Sequence, residues 1–141
     1  MRAFARERAA GAFPVLVTPA YTARARADLG DDVTLAVEQL VVLEEDPDRA
    51  RDIARVPLGF LGTMPAYKAN FRRMGFTEDD IAQKSDRLVD GLIAWGPSGA
   101  VAERVQAHLD AGADHVAVNI VSGGDDVPLE AWRALAPTLL S

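Results

Sequence analysis

The chain has 141 residues, of which 49% are hydrophobic and 26% charged, a balance typical of one globular domain rather than of a disordered segment. Its formal net charge is -6, so it lacks the basic excess with which proteins bind nucleic acid, and we expect no nucleic-acid partner. It contains no cysteine, which excludes disulfides, zinc–thiolate sites and cysteine nucleophiles.

The stretch GAFPVLVTPAYTARARADLG predicts the first strand and the first helix. Phe13 to Val17 form a short apolar run, which is typical of a buried strand. Thr18 and Pro19 then mark a helix start, because a threonine side chain accepts from free backbone N–H groups and proline suits the first turn. Gly30 is expected to end this helix in a left-handed conformation.

The segment from Thr34 to Leu43, rich in valine and leucine, predicts the second strand. Asp46 and Pro47 repeat the cap-then-proline start of a helix. We expect this helix to kink or break at Pro57, because a proline removes a hydrogen bond and clashes with the preceding turn.

Three further helical segments are predicted over about 66–74, 77–83 and 85–95. TEDD, which starts at Thr77, is a capping box with aspartate in place of glutamate. In the third segment an apolar stripe at helical spacing predicts a buried face made of Leu88, Val89, Leu92, Ile93 and Trp95.

The rest of the chain predicts one more helix, a strand and a closing helix. The helix begins at about Ser98 and ends at Gly112, and the strand covers His115 to Val121. The closing helix covers VPLEAWRALAPTLL, and we expect its buried side to be Leu129, Trp132 and Leu135.

Strands separated by helices predict right-handed crossovers and a parallel sheet. Because these strands are almost continuously apolar, both faces of the sheet are expected to be covered. The pattern therefore indicates an α/β fold, either a doubly wound sheet or part of a (βα)8 barrel. Such a barrel has eight strands and typically ~250 residues, whereas only three strands are evident in this sequence.

Neither a membrane nor an export route is indicated. The N-terminal stretch MRAFARERAAGAF lacks the long apolar core of a secretory signal peptide. No apolar run approaches the ~20 residues that cross a bilayer. We therefore expect a cytoplasmic protein without a membrane partner.

Neither histidine is a strong catalytic candidate. His108 lies on a helix beside apolar positions, and His115 stands at the start of a strand. In a (βα) barrel the starts of the strands form the face that serves stability, while chemistry takes place at their ends. We therefore expect structural roles for both histidines, and we expect no metal site.

Glu38 and Gln39 interrupt the second strand, which is otherwise apolar. A buried carboxylate is unfavourable unless it is paired, so one interpretation is that Glu38 faces a polar cavity. The alternative is a solvated edge strand or a salt bridge to an arginine.

Two predicted strand ends offer binding groups. Thr18 and Tyr21 follow the first strand, where free N–H groups at a helix start are able to hold an anion such as phosphate, although ordinary capping is the favoured alternative. VSGGDD follows the last strand, and its glycines either let a ligand approach the backbone or form a flexible turn. The sequence contains no G-x-G-x-x-G, P-loop, G-x-S-x-G or H-E-x-x-H motif.

Six stretches, in consistent order through almost all of the chain, resemble the C-terminal half of the luciferase-like (LLM class) oxidoreductases. They are PVLVTPAYTARARADLG, EQLVVLEEDPDRARDIAR, FRRMGFTEDDI, SDRLVDGLIAWG, AERVQAHLDAGADHVAVNI and LEAWRALAPTLL. The similarity is greatest to the branch that uses the deazaflavin coenzyme F420.

The resemblance implies a (βα)8 TIM barrel of which residues 1–141 form only a part. The three predicted strands correspond to strands six, seven and eight, and a helical insertion covers about residues 59–84. On this reading the chain is a C-terminal fragment that lacks the first five strands. Thr18 and Tyr21 are the nearest matches to cofactor-binding positions, and Glu38, Ser122 and Gly123 are placed on the substrate side.

The resemblance also implies an activity: transfer of hydride between F420 and a small organic substrate, in a family that includes monooxygenases, with the flavin FMN as the alternative cofactor. Because most cofactor contacts come from the first five strands, the isolated chain is expected to be inactive. A homo-oligomer or a complementing N-terminal half is the expected protein partner. A non-catalytic barrel remnant and an autonomous small α/β binding protein are the other hypotheses.

Overall fold

Strands and helices alternate along the chain, as the sequence predicts, and every strand pair is parallel. The computed structural model describes residues 10–124 and 127–140, so both ends of the predicted 1–141 domain lie outside the described residues. The strands in these ranges are β1 (Gly11–Ala12), β2 (Thr34–Val42), β3 (Ala94–Trp95) and β4 (His115–Ile120). The helices in the same ranges are α1 (Pro19–Leu29), α2 (Pro47–Leu61), α3 (Pro65–Arg73), α4 (Glu78–Gln83), α5 (Asp86–Leu92), α6 (Ser98–Asp110) and α7 (Leu129–Leu139).

The long strand β2 is the centre of the sheet. It pairs with all of β4, from Ala36 opposite His115 to Val41 opposite Ile120. Val41 also pairs with Ala94 of β3, so β3 and β4 lie on opposite edges of β2. The short strand β1 pairs with the start of β2. Farther along, Val15 bridges to Glu38, whose other side pairs with Ala117 of β4. β1 therefore lies on the same edge of β2 as β3.

The two faces of β2 are covered to different extents. One face carries Leu35, Val37, Gln39 and Val41, which are at most 1% exposed beneath α1, α6 and α7. On the other face Leu40 and Val42 are buried beneath the helices α2 to α5, but the first half of that face is not. We call this uncovered part the open face; it is formed by Phe13, Ala36, Glu38, His115, Ala117 and Asn119.

Four helices start with the side-chain caps that short-range patterns favour. Thr18, Asp46, Thr77 and Ser85 each accept a hydrogen bond from a backbone N–H three residues later. The capping box predicted at Thr77 is confirmed, because the Asp80 carboxylate accepts in turn from the Thr77 N–H at 2.9 Å. The predicted end of α1 at Gly30 is confirmed, with a positive φ of 78°, but its ψ of −179° lies outside the left-handed helical region.

An ion-pair cluster fixes the start of β4 against β2. The Asp114 carboxylate accepts from the Leu35 N–H at 2.8 Å and from the Arg26 guanidinium at 2.5 Å. Arg26 also donates to the Gly112 carbonyl at 2.8 Å. The bond from Leu35, followed by that from Arg26, holds the pKa of Asp114 below its ordinary value.

The predicted first strand is wrong in its position. The structure has a two-residue strand at Gly11–Ala12 and only a single bridge farther on, between Val15 and Glu38. Two features interrupt the ladder. Pro14 has no N–H to donate, and Leu16 takes a left-handed backbone with φ of 54°.

Of the predicted kink or break at Pro57, the break is wrong, because α2 continues without interruption to Leu61. Ala54 before the proline and Leu58 after it are both at most 1% exposed in the core. Their burial holds the helix together in spite of the local penalty of about 3 kcal/mol that an interior proline carries.

Two further expectations need correction. The helix predicted over 85–95 ends at Leu92, because Ala94 and Trp95 pair with the end of β2. Trp95 therefore does not belong to the helical stripe. The other members of the stripe are buried as predicted: Leu88, Val89, Leu92 and Ile93. In the closing helix Leu135 is buried, but Leu129 is 57% and Trp132 37% exposed. Within the described ranges α7 packs on α6, and this contact buries Leu135 but not the other two residues of the predicted face.

Candidate functional site

The C-terminal ends of the parallel strands lie at one edge of the sheet, which is where α/β proteins bind ligands. Thr18 follows the first strand segment, Glu44 and Glu45 follow β2, and Ser122 follows β4. None of the helices in the described ranges has the length and apolarity that a membrane crossing needs. Across the same ranges, no cluster of three His, Asp or Glu side chains is placed to hold a metal ion.

Thr18 is committed to capping α1. Its Oγ1 accepts from the Tyr21 N–H at 3.2 Å, and its carbonyl accepts from the Thr22 N–H at 3.1 Å. Its hydroxyl lies 3.9 Å from the Met74 sulfur, and the side chain of Tyr21, in the first turn of α1, packs against the core. Pro19 has no N–H and Thr18 Oγ1 takes the N–H of Tyr21, so two of the first three helical positions offer no amide to an anion. The geometry favours the capping interpretation, and a cofactor role for Thr18 and Tyr21 stays a prediction.

Glu38 lies on the central strand, so the edge-strand interpretation of this residue is wrong. Its carboxylate accepts from the Asn119 side-chain amide on the neighbouring strand, at 2.8 Å. Within the described part of the chain it forms no ion pair with an arginine. The pair stands on the open face beside Val15 and Ala117, where it is available to a polar group of a ligand.

Ser122 and Gly123 form the turn after β4. The Ser122 hydroxyl donates to the Gly124 carbonyl at 3.1 Å. A Cβ atom placed on Gly123 would lie 3.8 Å from the Ile53 side chain, so the turn runs alongside α2. Among the described residues no direct hydrogen bond connects Thr18, Glu38 and Ser122. Thr18 and Ser122 follow strand ends, whereas Glu38 lies in the middle of β2.

The sequence does not reveal a buried polar chain on the covered face of β2. His108 lies between Thr22, 2.8 Å from its Nδ1, and Gln39, 3.0 Å from its Nε2. Because the Gln39 amide nitrogen donates to two backbone carbonyls, its oxygen accepts, so His108 Nε2 carries the proton and Nδ1 accepts from Thr22. Burial and the charge of Arg104 lower the pKa of His108 to about 4. A neutral, fully bonded histidine in the core has a structural role.

A second cluster joins three elements beside the end of β3. Asp90 accepts two bonds from Arg51, at 3.0 and 2.8 Å, and one from the Trp95 indole at 2.7 Å. The Arg51 guanidinium also lies 5.1 Å from the centre of the Trp95 ring. Burial alone would raise the pKa of Asp90, but the hydrogen bonds from Arg51 and Trp95 outweigh it and leave that pKa below its ordinary value.

The strand-end surface is acidic next to β2. Glu44, Glu45, Asp46 and Asp48 follow that strand within a few residues, and Glu44 forms an ion pair with Arg49 at 3.0 Å. A negatively charged ligand group is repelled there. The residues present therefore fit a neutral or polar organic molecule at this edge, and they do not fit a phosphate.

No protein-family profile and no curated protein matches this sequence. Two solved structures share its fold. The first is an F420-dependent secondary alcohol dehydrogenase in complex with an F420-acetone adduct, with a TM-score of 0.66 and 10% identity over 98% of this chain and 45% of that chain. The second is a coenzyme F420 dependent tetrahydromethanopterin reductase from Methanopyrus kandleri, with a TM-score of 0.60 and 16% identity over 99% of this chain and 48% of that chain.

The chain thus spans about half the length of these solved structures. At such low identity the similarity shows the fold alone. It supports, at the level of the fold, the resemblance to the luciferase-like F420 enzymes that the sequence indicates.

Proposed function

We propose that this chain is part of an F420-dependent oxidoreductase that transfers hydride to or from a small organic substrate. The observation that carries the proposal is the fold: almost the whole chain superposes on two enzymes that use F420. The coenzyme supplies the hydride chemistry, and the protein supplies binding and orientation.

We assign the chain to strands six, seven and eight of a (βα)8 barrel, with residues 59–84 as the insertion. In a closed barrel one face of each strand points inward and is covered by side chains from the other strands. The open face leaves Phe13 55% exposed beside the polar pair Glu38 and Asn119. An uncovered inner face is expected of a barrel segment whose other strands come from elsewhere.

Within this arrangement the chain contributes the wall next to the substrate. Asn119 holds the Glu38 carboxylate in a fixed orientation, from which it can accept a hydrogen bond from a substrate hydroxyl. Ser122 and Gly123 follow the end of β4, with backbone accessible to a ligand. Thr18 and Tyr21 border the cofactor. The acidic stretch after β2 disfavours the cofactor phosphate here, so we assign phosphate binding to the missing strands.

The test is complementation. The purified chain, alone and co-expressed with strands one to five of the F420-dependent alcohol dehydrogenase, is titrated with F420 and with FMN by calorimetry and assayed for F420-dependent alcohol oxidation. We expect no turnover from the isolated chain, and F420 binding with measurable turnover from the assembled barrel.

Glu38→Gln in the assembled barrel separates the site from the scaffold. The substitution keeps the size of the side chain and the contact to Asn119, so F420 binding should persist while turnover falls about tenfold or more. Binding of FMN in preference to F420 would move the protein to the flavin enzymes. Binding of neither by a barrel that assembles would make the chain a non-catalytic remnant.

A further inference from the structure

The only two lysines in the chain line the same cleft. The sequence has 15 basic residues, and all but Lys68 and Lys84 are arginines. Both lysines border a cleft of about 190 Å³ between the end of α2 and the helices α3 and α4. Both are half-buried, although lysine usually lies on the open surface.

The charges around the cleft do not balance. Arg72, which also lines it, forms a two-pronged ion pair with Glu78, in which the Nη2–Oε2 distance is 2.9 Å. This pair holds the pKa of Glu78 below its ordinary value, with a smaller contribution from Lys68. Glu78 is the one carboxylate in the lining and Arg72 already neutralises it, so two positive charges are left over.

The backbone of Lys84 is fixed against α2. Lys84 has a left-handed conformation, with φ of 48°, at the end of α4, and its carbonyl accepts from Arg55 Nε at 3.2 Å. Its Cε lies 3.8 Å from the position of a Cβ on Gly59, so the side chain runs along the helix where that glycine leaves room. Within the described ranges, neither lysine ammonium forms a hydrogen bond or an ion pair.

We propose that this cleft binds a small phosphate-bearing anion, held between the ammonium groups of Lys68 and Lys84. Both ammonium groups line one cleft whose single carboxylate is already paired with Arg72, so an oxyanion in the cleft is attracted by two positive charges. The volume suits a phosphate group with a few further atoms. The proposal does not rest on F420 binding, because the lining of the cleft includes none of the strand-end residues Thr18, Ser122 and Gly123.

Lysine labelling tests this directly, because the two lysines are the only side-chain amines. The purified chain is acetylated at pH 8, and each lysine is followed by peptide mass spectrometry with and without ~10 mM inorganic phosphate. For a Kd of about 1 mM, phosphate should slow the labelling of both lysines roughly tenfold. Sodium chloride of equal ionic strength should change the rates less than about twofold.

Glycerol phosphate and succinate complete the experiment. Protection by glycerol phosphate as well as phosphate indicates a site for phosphate esters, and protection by inorganic phosphate alone indicates a site for the free ion. Protection by succinate without phosphate, protection of one lysine only, or equal slowing by chloride overturns the proposal. Calorimetry adds a variant pair: Lys68→Met should abolish phosphate binding, while Arg133→Met, which removes a surface charge from α7, should leave it unchanged.

Discussion

His108 joins α1, β2 and α6 through a chain of hydrogen bonds that works only while the ring is neutral. In the folded protein its pKa is lowered to about 4, from the value of 6.5 for an unperturbed histidine. The unfolded chain therefore binds more protons between these two values. The stabilisation is complete above about pH 6.5 and is lost as the pH falls toward 4.

We predict that the free energy of unfolding decreases by up to about 3 kcal/mol between pH 6.5 and pH 4 because of His108. Urea denaturation at several pH values measures it, and His108→Gln should flatten this part of the profile. His115→Gln is the matched control, since it replaces the other histidine on the exposed side of β4, and its profile should follow the parent's. A profile that keeps its slope in His108→Gln would refute the assignment.

Sequence reading at this scale succeeds where partners are close along the chain. The caps at Thr18, Asp46 and Thr77 were predictable because each side chain bonds a backbone group three residues away. The bond between Thr22 and His108 joins residues 86 positions apart, and no local pattern marks it. For the same reason, Glu38 was recognisable as unusual but its partner Asn119 was not.

At the scale of the helices, a glycine near the end of α5 and one near the start of α6 have opposite surroundings. Gly91 in α5 faces the ring of Phe76, and a Cβ at this position would lie 2.8 Å from the ring. Phe76 is only 7% exposed, so it has little room to move. Gly99 in α6 has no atom within 4 Å of the corresponding position.

We predict that Gly91→Ala destabilises the protein by about 1–3 kcal/mol, because it overpacks the core. Gly99→Ala should stabilise it by about 0.5–1 kcal/mol, because alanine favours the helix and nothing opposes the added methyl group. Thermal unfolding of the two variants beside the parent protein measures both effects. A stabilising Gly91→Ala would mean that the ring of Phe76 is free to shift.

Element boundaries were least predictable where tertiary contacts override the local pattern. The apolar stripe that ends at Trp95 reads as helix, but pairing with β2 takes Ala94 and Trp95 into the sheet. Pro57 predicts a kink or break, yet core burial on both sides keeps α2 continuous. The parallel order of the long elements was predictable, because alternation of strands and helices leaves few other arrangements.

At the scale of the whole molecule, the open face carries both apolar and polar side chains, which a complete sheet would cover. We predict concentration-dependent association of the isolated chain in sedimentation velocity, driven by this face. Phe13→Ser should weaken the association, with a change in unfolding free energy of less than about 0.5 kcal/mol.

Phe60→Ser is the control, because Phe60 is 68% exposed but lies on α2, away from the open face. If both variants associate like the parent, the open face is not the contact. A parent chain that stays monomeric at all concentrations would show that the sheet needs no further cover.

The pairing of Leu35 with Asp114 has a consequence for how the protein is made. The two residues are 79 positions apart, so β2 leaves the ribosome long before β4 exists. At bacterial and eukaryotic translation speeds of about 5–20 residues per second, this edge of β2 waits roughly 4–16 s for its neighbour. Meanwhile α2 to α5 are synthesised and can settle on the far end of the strand. The nascent chain thus exposes an unpaired hydrophobic edge for seconds, during which a chaperone has time to bind it.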